Sequence, residues 1–189
     1  YKRQLYNRAL CLEKMEDKDI GAALKAILAD VGSPYQPQAE RALAHHCLKM
    51  GRDDEALAHF VRLAGSDDRK TRADAILQCA QIARKLEKRD FSRKYFEEIL
   101  VTPELEQWHG ESQLALMSEA SLEERHKDVI AYYERGDYPL QEEPRGRRLQ
   151  IAATSYAALG EEKKSTSLLR KLASTSPDDL TALEASYLV

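Results

Sequence analysis

The sequence predicts an all-α protein built from short helical hairpins that repeat along the chain. Apolar residues recur with the spacing of a helix face from one end of the 189 residues to the other. No run of alternating polar and apolar residues indicates a strand, and turn-forming residues divide the pattern into pieces of about 11 to 17 residues. A hydrophobic content of 43% and a charged content of 32% are typical of a folded chain rather than a disordered or collagen-like one.

Each predicted helix is an apolar stripe bounded by residues that favour turns, chiefly glycine, proline and serine. Asp53 and Ser121 are expected as N-caps, Ser121 because Glu124 follows it at the spacing of a capping box. The predicted helices, in order, are 3–15, 19–29, 36–50, 53–64, 70–86, 90–100, 107–119, 122–135, 143–159, 162–174 and 178–188.

The hairpins share a period of 36 residues. This spacing separates Phe60 from Phe96 and Phe96 from Tyr132, each in the second helix of its hairpin. The small residues Ala56 and Ser92, four positions before the two phenylalanines, have the same separation. Small side chains let paired helices approach closely, and we expect the aromatic rings to fill the space between neighbouring hairpins.

Several segments resemble the tetratricopeptide repeat. Segment 149–177 reads L-x-x-A-A-x-x-Y-x-x-x-G and continues through Ser165, Leu169, Leu172 and Pro177. Segments 40–64 and 76–100 follow a similar pattern, and 18–27 resembles the turn and second helix of a first repeat. The fourth hairpin departs most, because Asp128 occupies the position where a small residue is expected.

The resemblance implies a right-handed α-α superhelix of about five helix-turn-helix repeats with a concave groove, formed by a single domain over 1–189. The approximate repeats are 1–33, 36–69, 70–103, 104–140 and 143–177, followed by a terminal helix 178–188. That terminal helix is apolar. Three roles stay open for it, namely a capping helix, a contact between two copies of the chain, or the start of a further repeat.

The resemblance also implies that the first helix of each hairpin lines the concave face, where such arrays hold peptides. Side chains on these faces recur four residues apart and supply a row of hydrogen-bond donors suited to a carboxylate-bearing partner. The predicted partner-binding residues are Arg41, His45, Lys49, Gln81, Arg84 and Lys85. The alternative interpretation is that these side chains only keep exposed helix faces soluble.

Two E-x-x-H units, Glu106 with His109 and Glu123 with His126, have the spacing that helical di-iron sites use. Such sites also need two further carboxylates around a shared bundle core, and this spacing arises easily by chance in a glutamate-rich chain. We therefore expect no metal and no cofactor, and keep a metal-dependent helical enzyme as an alternative.

No nucleophile, phosphate-binding loop or dinucleotide fingerprint is evident, so an enzyme is not expected. His46 and Cys47 are adjacent in a helix, where their side chains diverge by about 100°. The cysteines Cys11, Cys47 and Cys79 lack metal-ligand spacing and are expected to be free, buried core residues.

With 29 basic and 32 acidic residues, the chain lacks the positive charge typical of nucleic-acid-binding proteins. A local basic cluster keeps a nucleic-acid adaptor as a second alternative; its members are Lys70, Arg72, Arg84, Lys85, Lys88 and Arg89. No apolar stretch approaches the length of a membrane span. Because the sequence opens at Tyr1, a signal peptide or anchor would not be visible, and the compartment stays open between the cytoplasm and the bacterial periplasm.

The sequence thus predicts a protein-interaction scaffold that binds a peptide or protein partner, not nucleic acid, through its groove. The period of about 36 residues is similar to that of bacterial envelope repeat proteins that assist outer-membrane assembly or cell division.

Overall fold

A computed structural model of the chain describes residues 20–30 and 33–175, together with Arg3, Gln4, Tyr6, Asn7, Ala9 and Cys11. Within 20–30 and 33–175 it contains nine α-helices, one 3₁₀ helix and no strand. The α-helices are α1 Ile20–Leu28, α2 Gln36–Lys49, α3 Asp53–Leu63, α4 Arg69–Lys85, α5 Arg89–Ile99, α6 His109–Leu122, α7 His126–Glu134, α8 Glu142–Ala158 and α9 Glu162–Thr175. The described residues of the predicted helix 3–15 are helical, whereas 178–188 lies outside the described residues.

The chain divides into two compact units, Tyr1–Tyr95 and Phe96–Val189. In the first unit α1 packs against α2, α2 against α3 and α3 against α4. In the second unit α6 packs against α7, both of these pack against α8, and α8 packs against α9. Consecutive helices joined by short loops therefore form hairpins, as the sequence predicts. The assignment of the whole chain to one domain stays a prediction.

Four turns between paired helices share one backbone geometry. Each contains a residue with positive φ, and the next residue donates its N–H to the carbonyl five positions earlier, as Arg52 does to Cys47 at 2.8 Å. This arrangement closes a helix C-terminus and satisfies carbonyls that have no partner inside the helix. The turn residues are Gly51, Glu87, Glu124 and Gly160, with φ of 69°, 55°, 54° and 77°. Their numbers give intervals of 36, 37 and 36 residues.

The longer middle interval corrects the register of the fourth hairpin. Five residues after each turn lies a buried side chain of limited size; these are Ala56, Ser92, Val129 and Ser165. Val129, which is fully buried, therefore takes the place that the sequence reading gave to Asp128. By the same count Tyr133, not Tyr132, is the counterpart of Phe60 and Phe96, although Tyr132 is also buried.

The additional residue lies between α5 and α6, where the structure has a 3₁₀ helix, Pro103–Trp108, that the sequence did not predict. A proline near its start and a non-helical backbone at Leu105 set this segment apart from the α-helix that follows.

The core residues of each hairpin lie at fixed distances before its turn residue. Side chains eight, seven and four residues before each turn are at most 3% exposed. They are Leu43, Ala44 and Cys47; Cys79, Ala80 and Ala83; Leu116, Met117 and Ala120; and Ala152, Ala153 and Tyr156. This is the i, i+1, i+4 face of a helix, and it explains why the apolar stripes were visible in the sequence.

Two of the three cysteines behave as predicted. Cys47 and Cys79 are free and buried, and burial raises the pKa of the Cys47 thiol, so this side chain acts as a small apolar group. Cys11 is also free but exposed, which makes its assignment to the core wrong.

Both predicted N-caps are wrong. Asp53 is the first residue of α3, and Arg52 precedes it without a capping side-chain bond. Ser121 lies inside α6, which continues to Leu122. The tight turns explain both errors, because one residue separates each positive-φ position from the next helix. Asp68 does cap a helix, α4, because its Oδ2 accepts a hydrogen bond from the Thr71 backbone N–H at 2.8 Å.

Replacing Glu87 by glycine is expected to raise the free energy of unfolding by about 0.5–1 kcal/mol. A non-glycine residue with positive φ costs about 1–2 kcal/mol, and this exceeds the roughly 0.5–1 kcal/mol of chain entropy that glycine adds to the unfolded state. Urea unfolding of Glu87→Gly measures the gain. The matched control, Glu98→Gly inside α5, should instead lose about 1 kcal/mol. A loss in both variants would show that Glu87 is not strained.

Acidification is expected to destabilise the first unit through His46. The His46 ring is half-buried and lies beside Gly21 of α1. Burial, followed by the charges of Arg52 and Lys49, lowers its pKa below the ordinary value of 6.5. The folded state therefore favours neutral imidazole. Its contribution to stability is complete above pH 6.5, falls as the pH drops below that value, and is lost below the folded-state pKa.

Urea midpoints of the wild type and His46→Gln, compared between about pH 7.5 and pH 5, test this expectation. The wild type should lose more stability than the variant over this interval. If the urea midpoints of the two proteins change in parallel with pH, His46 is not the cause of the acid destabilisation.

Candidate functional site

Two adjoining cavities open between α2 and α4, the first helices of consecutive hairpins. The smaller has a volume of about 170 Å³, and its wall includes Arg41, His45, Phe60, Asp74, Leu77 and Gln78. The larger, of about 410 Å³, shares Arg41, His45 and Thr71 with the smaller and extends to Tyr6, Pro37 and Gln38. We call the two cavities together the groove.

Helical spacing brings the polar side chains of the groove together. Arg41 and His45 lie four residues apart on α2, and Asp74 and Gln78 lie four apart on α4, so each pair shares a helix face. Phe60 of α3 lies beneath them and is 2% exposed. Its ring and the His45 ring are in contact in an edge-to-face arrangement, with their centroids 5.3 Å apart. The groove thus has polar walls and an apolar floor.

Charge is balanced within the groove. The Arg41 guanidinium Nη2 lies 3.3 Å from Asp74 Oδ2 and donates to Thr71 Oγ1 at 3.3 Å. The two charged side chains are 41% and 65% exposed, so this is a solvated pair of the kind worth about 0–1 kcal/mol. It contributes little to stability, but it places a cation and a carboxylate side by side in the wall of the groove.

The structure brings together two of the six predicted site residues, Arg41 and His45. The other four are exposed and do not belong to the described wall of either cavity; these are Lys49, Gln81, Arg84 and Lys85. Lys85 Nζ instead lies 2.5 Å from Oδ2 of Asp53, the first residue of α3. Lys88, another member of the predicted basic cluster, is likewise 2.5 Å from Asp54.

The sequence reading missed the residues that α4 contributes to the wall, above all Thr71 and Asp74. Asp74 lies seven residues, or two helical turns, before the predicted site residue Gln81, so helical spacing carried a signal for it. Phe60 was recognised only as a packing residue, since the space above its ring depends on how neighbouring hairpins meet.

The two E-x-x-H units lie at opposite ends of α6. Its 14 residues span about 21 Å, too far for both units to share one metal ion. His109 Nε2 is 3.2 Å from the Thr102 carbonyl oxygen, and His126 Nδ1 is 3.3 Å from Ser155 Oγ. Across the described part of the chain, no group of three or more metal-ligating side chains comes together. In that same part, none of the helices combines the length and apolar character needed to span a bilayer.

A scan against models of protein families finds no match, and neither does a comparison with curated proteins. Among solved structures, the chain is similar to YrrB, described as a TPR protein with an unusual peptide-binding site. The similarity covers 97% of this chain and 90% of that one, with 18% sequence identity and a TM-score of 0.60. Taken with the paired helices, it confirms the fold predicted from the sequence: the chain has the all-α, tetratricopeptide-like fold.

Proposed function

We propose that this protein is an interaction scaffold, not an enzyme, and that it holds a peptide or protein partner in the groove between α2 and α4. The observation that carries the proposal is the position of Arg41 and His45. Both were expected to contact a partner, and both line cavities with an apolar floor. A concave surface that joins apolar area to a few placed polar groups is typical of binding sites.

The helices that carry the groove are well suited to bind without rearrangement. Other faces of α2 and α4 hold the fully buried residues Leu43, Ala44, Cys79 and Ala80. Because these faces are packed, the backbone that carries the polar side chains of the groove is held in place. Binding a partner therefore costs little entropy for ordering this part of the protein. The peptide-binding site that the description of YrrB mentions also supports a scaffold.

Lys49, Gln81, Arg84 and Lys85 would extend the contact surface beyond the groove along the same two helices. A carboxylate-bearing partner would meet competition, since Asp74 and Asp53 already lie against Arg41 and Lys85. A role in bacterial envelope assembly rests on the length of the repeat alone and stays a prediction.

Charge reversal in the groove tests the proposal. Arg41→Glu combined with His45→Glu should abolish capture of the partners that wild-type protein retains from an extract of the source organism. Thermal unfolding should change little, because both residues are exposed or half-exposed. The readout is the set of proteins identified by mass spectrometry in each pull-down.

The matched control is Lys25→Glu with Lys94→Glu, which reverses two exposed charges on α1 and α5 away from both described cavity walls. This control should retain the wild-type partners. Equal capture by all three proteins would place the interaction elsewhere and remove the groove from the proposal.

A further inference from the structure

We infer that the groove binds an uncharged, extended peptide segment, held by its backbone and by one aliphatic side chain, in preference to an acidic segment. This inference rests on the proposed function, because it specifies the partner of the same site. Three features of the groove carry it: its charge balance, its set of donors and acceptors, and the shape of its floor.

The charge balance disfavours an acidic ligand. Among the described residues of the two cavity walls, the formally charged ones are Arg41 and Asp74, which lie 3.3 Å apart. A ligand carboxylate approaching Arg41 would therefore also approach the Asp74 carboxylate, which is 65% exposed. The attraction to the guanidinium and the repulsion from the carboxylate then largely cancel, so a negative charge gains little from this site.

The donors and acceptors of the groove match a peptide backbone. An extended chain presents N–H and C=O groups in turn, and a neighbouring cation and carboxylate can engage one of each. The described contacts of Arg41 use Nη2 of its guanidinium, and that with Asp74 uses Oδ2. The Arg41 Nη1 and Nε donors and the Asp74 Oδ1 acceptor suit a peptide C=O and N–H respectively. Gln78, on the same wall, supplies a further donor and acceptor.

The floor has room for one aliphatic side chain. Phe60, Leu63 and Ala75 are at most 5% exposed, and Leu77 is half-buried beside them. The smaller cavity holds about 170 Å³, and an apolar cavity of roughly 150 Å³ is known to hold a benzene molecule. A leucine or isoleucine side chain of the partner would leave water and contact these four residues, whereas a charged side chain would lose its hydration there.

Peptide selection with matched variants tests the inference. A phage library of random linear peptides is selected on immobilised protein, and the consensus peptide is synthesised in three forms: unchanged, with its aliphatic residue replaced by alanine, and with a flanking residue replaced by aspartate. Calorimetry with the wild-type protein should show the alanine form binding about 10- to 100-fold more weakly. The aspartate form should bind no better than the consensus. The Asp74→Asn variant should weaken the consensus peptide several-fold, since it removes one half of the backbone clamp.

The outcomes separate the inference from the function on which it rests. If the selected peptides are acidic and Asp74→Asn strengthens their binding, Arg41 grips carboxylates; the inference then fails while the scaffold function stands. If no peptide is enriched, or if enriched peptides bind Leu77→Glu as well as wild type, the groove is not the binding site and the proposed function falls as well. Circular dichroism of each variant confirms that it is folded.

Discussion

Phe60→Ala is expected to lower the free energy of unfolding by about 3–5 kcal/mol, the range for removing a buried aromatic ring. Phe60 is 2% exposed and belongs to the buried face of α3 with Ala56, Leu57 and Leu63. Its ring also meets that of His45 on α2. The alanine variant therefore loses both the transfer of the ring out of water and its packing between helices, and the cavity left behind adds to the cost. Urea unfolding followed by circular dichroism measures the difference.

Phe91→Ala is the matched control. Phe91 is 47% exposed on α5, so its removal deletes the same ring from a site that water already reaches. We expect a loss of less than about 1 kcal/mol for this variant. Similar losses for the two variants would contradict the view that the aromatic position of the repeat holds the hairpins together.

The helical hairpins could be predicted because their signal is local. Residues such as Leu43, Ala44 and Cys47 share a helix face that the 3.6-residue period reveals without any tertiary information. Only some of the turns could be predicted. A glycine such as Gly51 indicates a residue with positive φ, but Glu87 adopts the same conformation although its side chain disfavours it. There the hydrogen bond from the Lys88 N–H to the Ala83 carbonyl and the packing of the paired helices override local preference.

The groove was predictable to the same limited extent. Arg41 and His45 form a pair because they lie one helical turn apart on α2. The contact between Arg41 and Asp74 joins residues on separate helices, and the distance between them depends on how the hairpins stack. The sequence could therefore identify a row of donors but not the carboxylate that neutralises one of them. Under the proposed binding mode, that carboxylate decides which ligand chemistry the groove favours.

A buried polar network in the second unit escaped the sequence analysis for the same reason. Gln113 is fully buried on α6, and its Nε2 donates to the carbonyl oxygens of Tyr132 at 2.8 Å and Gly136 at 2.9 Å. Tyr132 lies in the last turn of α7, where its carbonyl also accepts the Arg135 N–H at 3.3 Å, and Gly136 follows the helix. The Gln113 Oε1 accepts from Arg148 Nη1 at 3.1 Å, and Arg148 is itself only 2% exposed. Arg148 also donates to the Tyr138 carbonyl at 2.8 Å, so both side chains fix the loop after α7.

Gln113→Leu is expected to cost about 2–4 kcal/mol, because each buried polar group that loses its partner costs roughly 1–3 kcal/mol. Leucine fills a similar space but removes the amide donor from the carbonyls of Tyr132 and Gly136 and one of the acceptors of Arg148, which keeps the Tyr138 carbonyl. Gln107→Leu, at an exposed position of the 3₁₀ helix, should change the free energy of unfolding by less than about 0.5 kcal/mol.

A double-mutant cycle separates the network from simple packing. If Gln113 and Arg148 act as one unit, Gln113→Leu combined with Arg148→Met should cost less than the two single changes added together, since the second substitution removes a group that the first has already deprived of one acceptor. Strict additivity in urea unfolding would mean that the two side chains stabilise the loop after α7 independently. In that case the 3.1 Å contact between them would carry no coupling energy of its own.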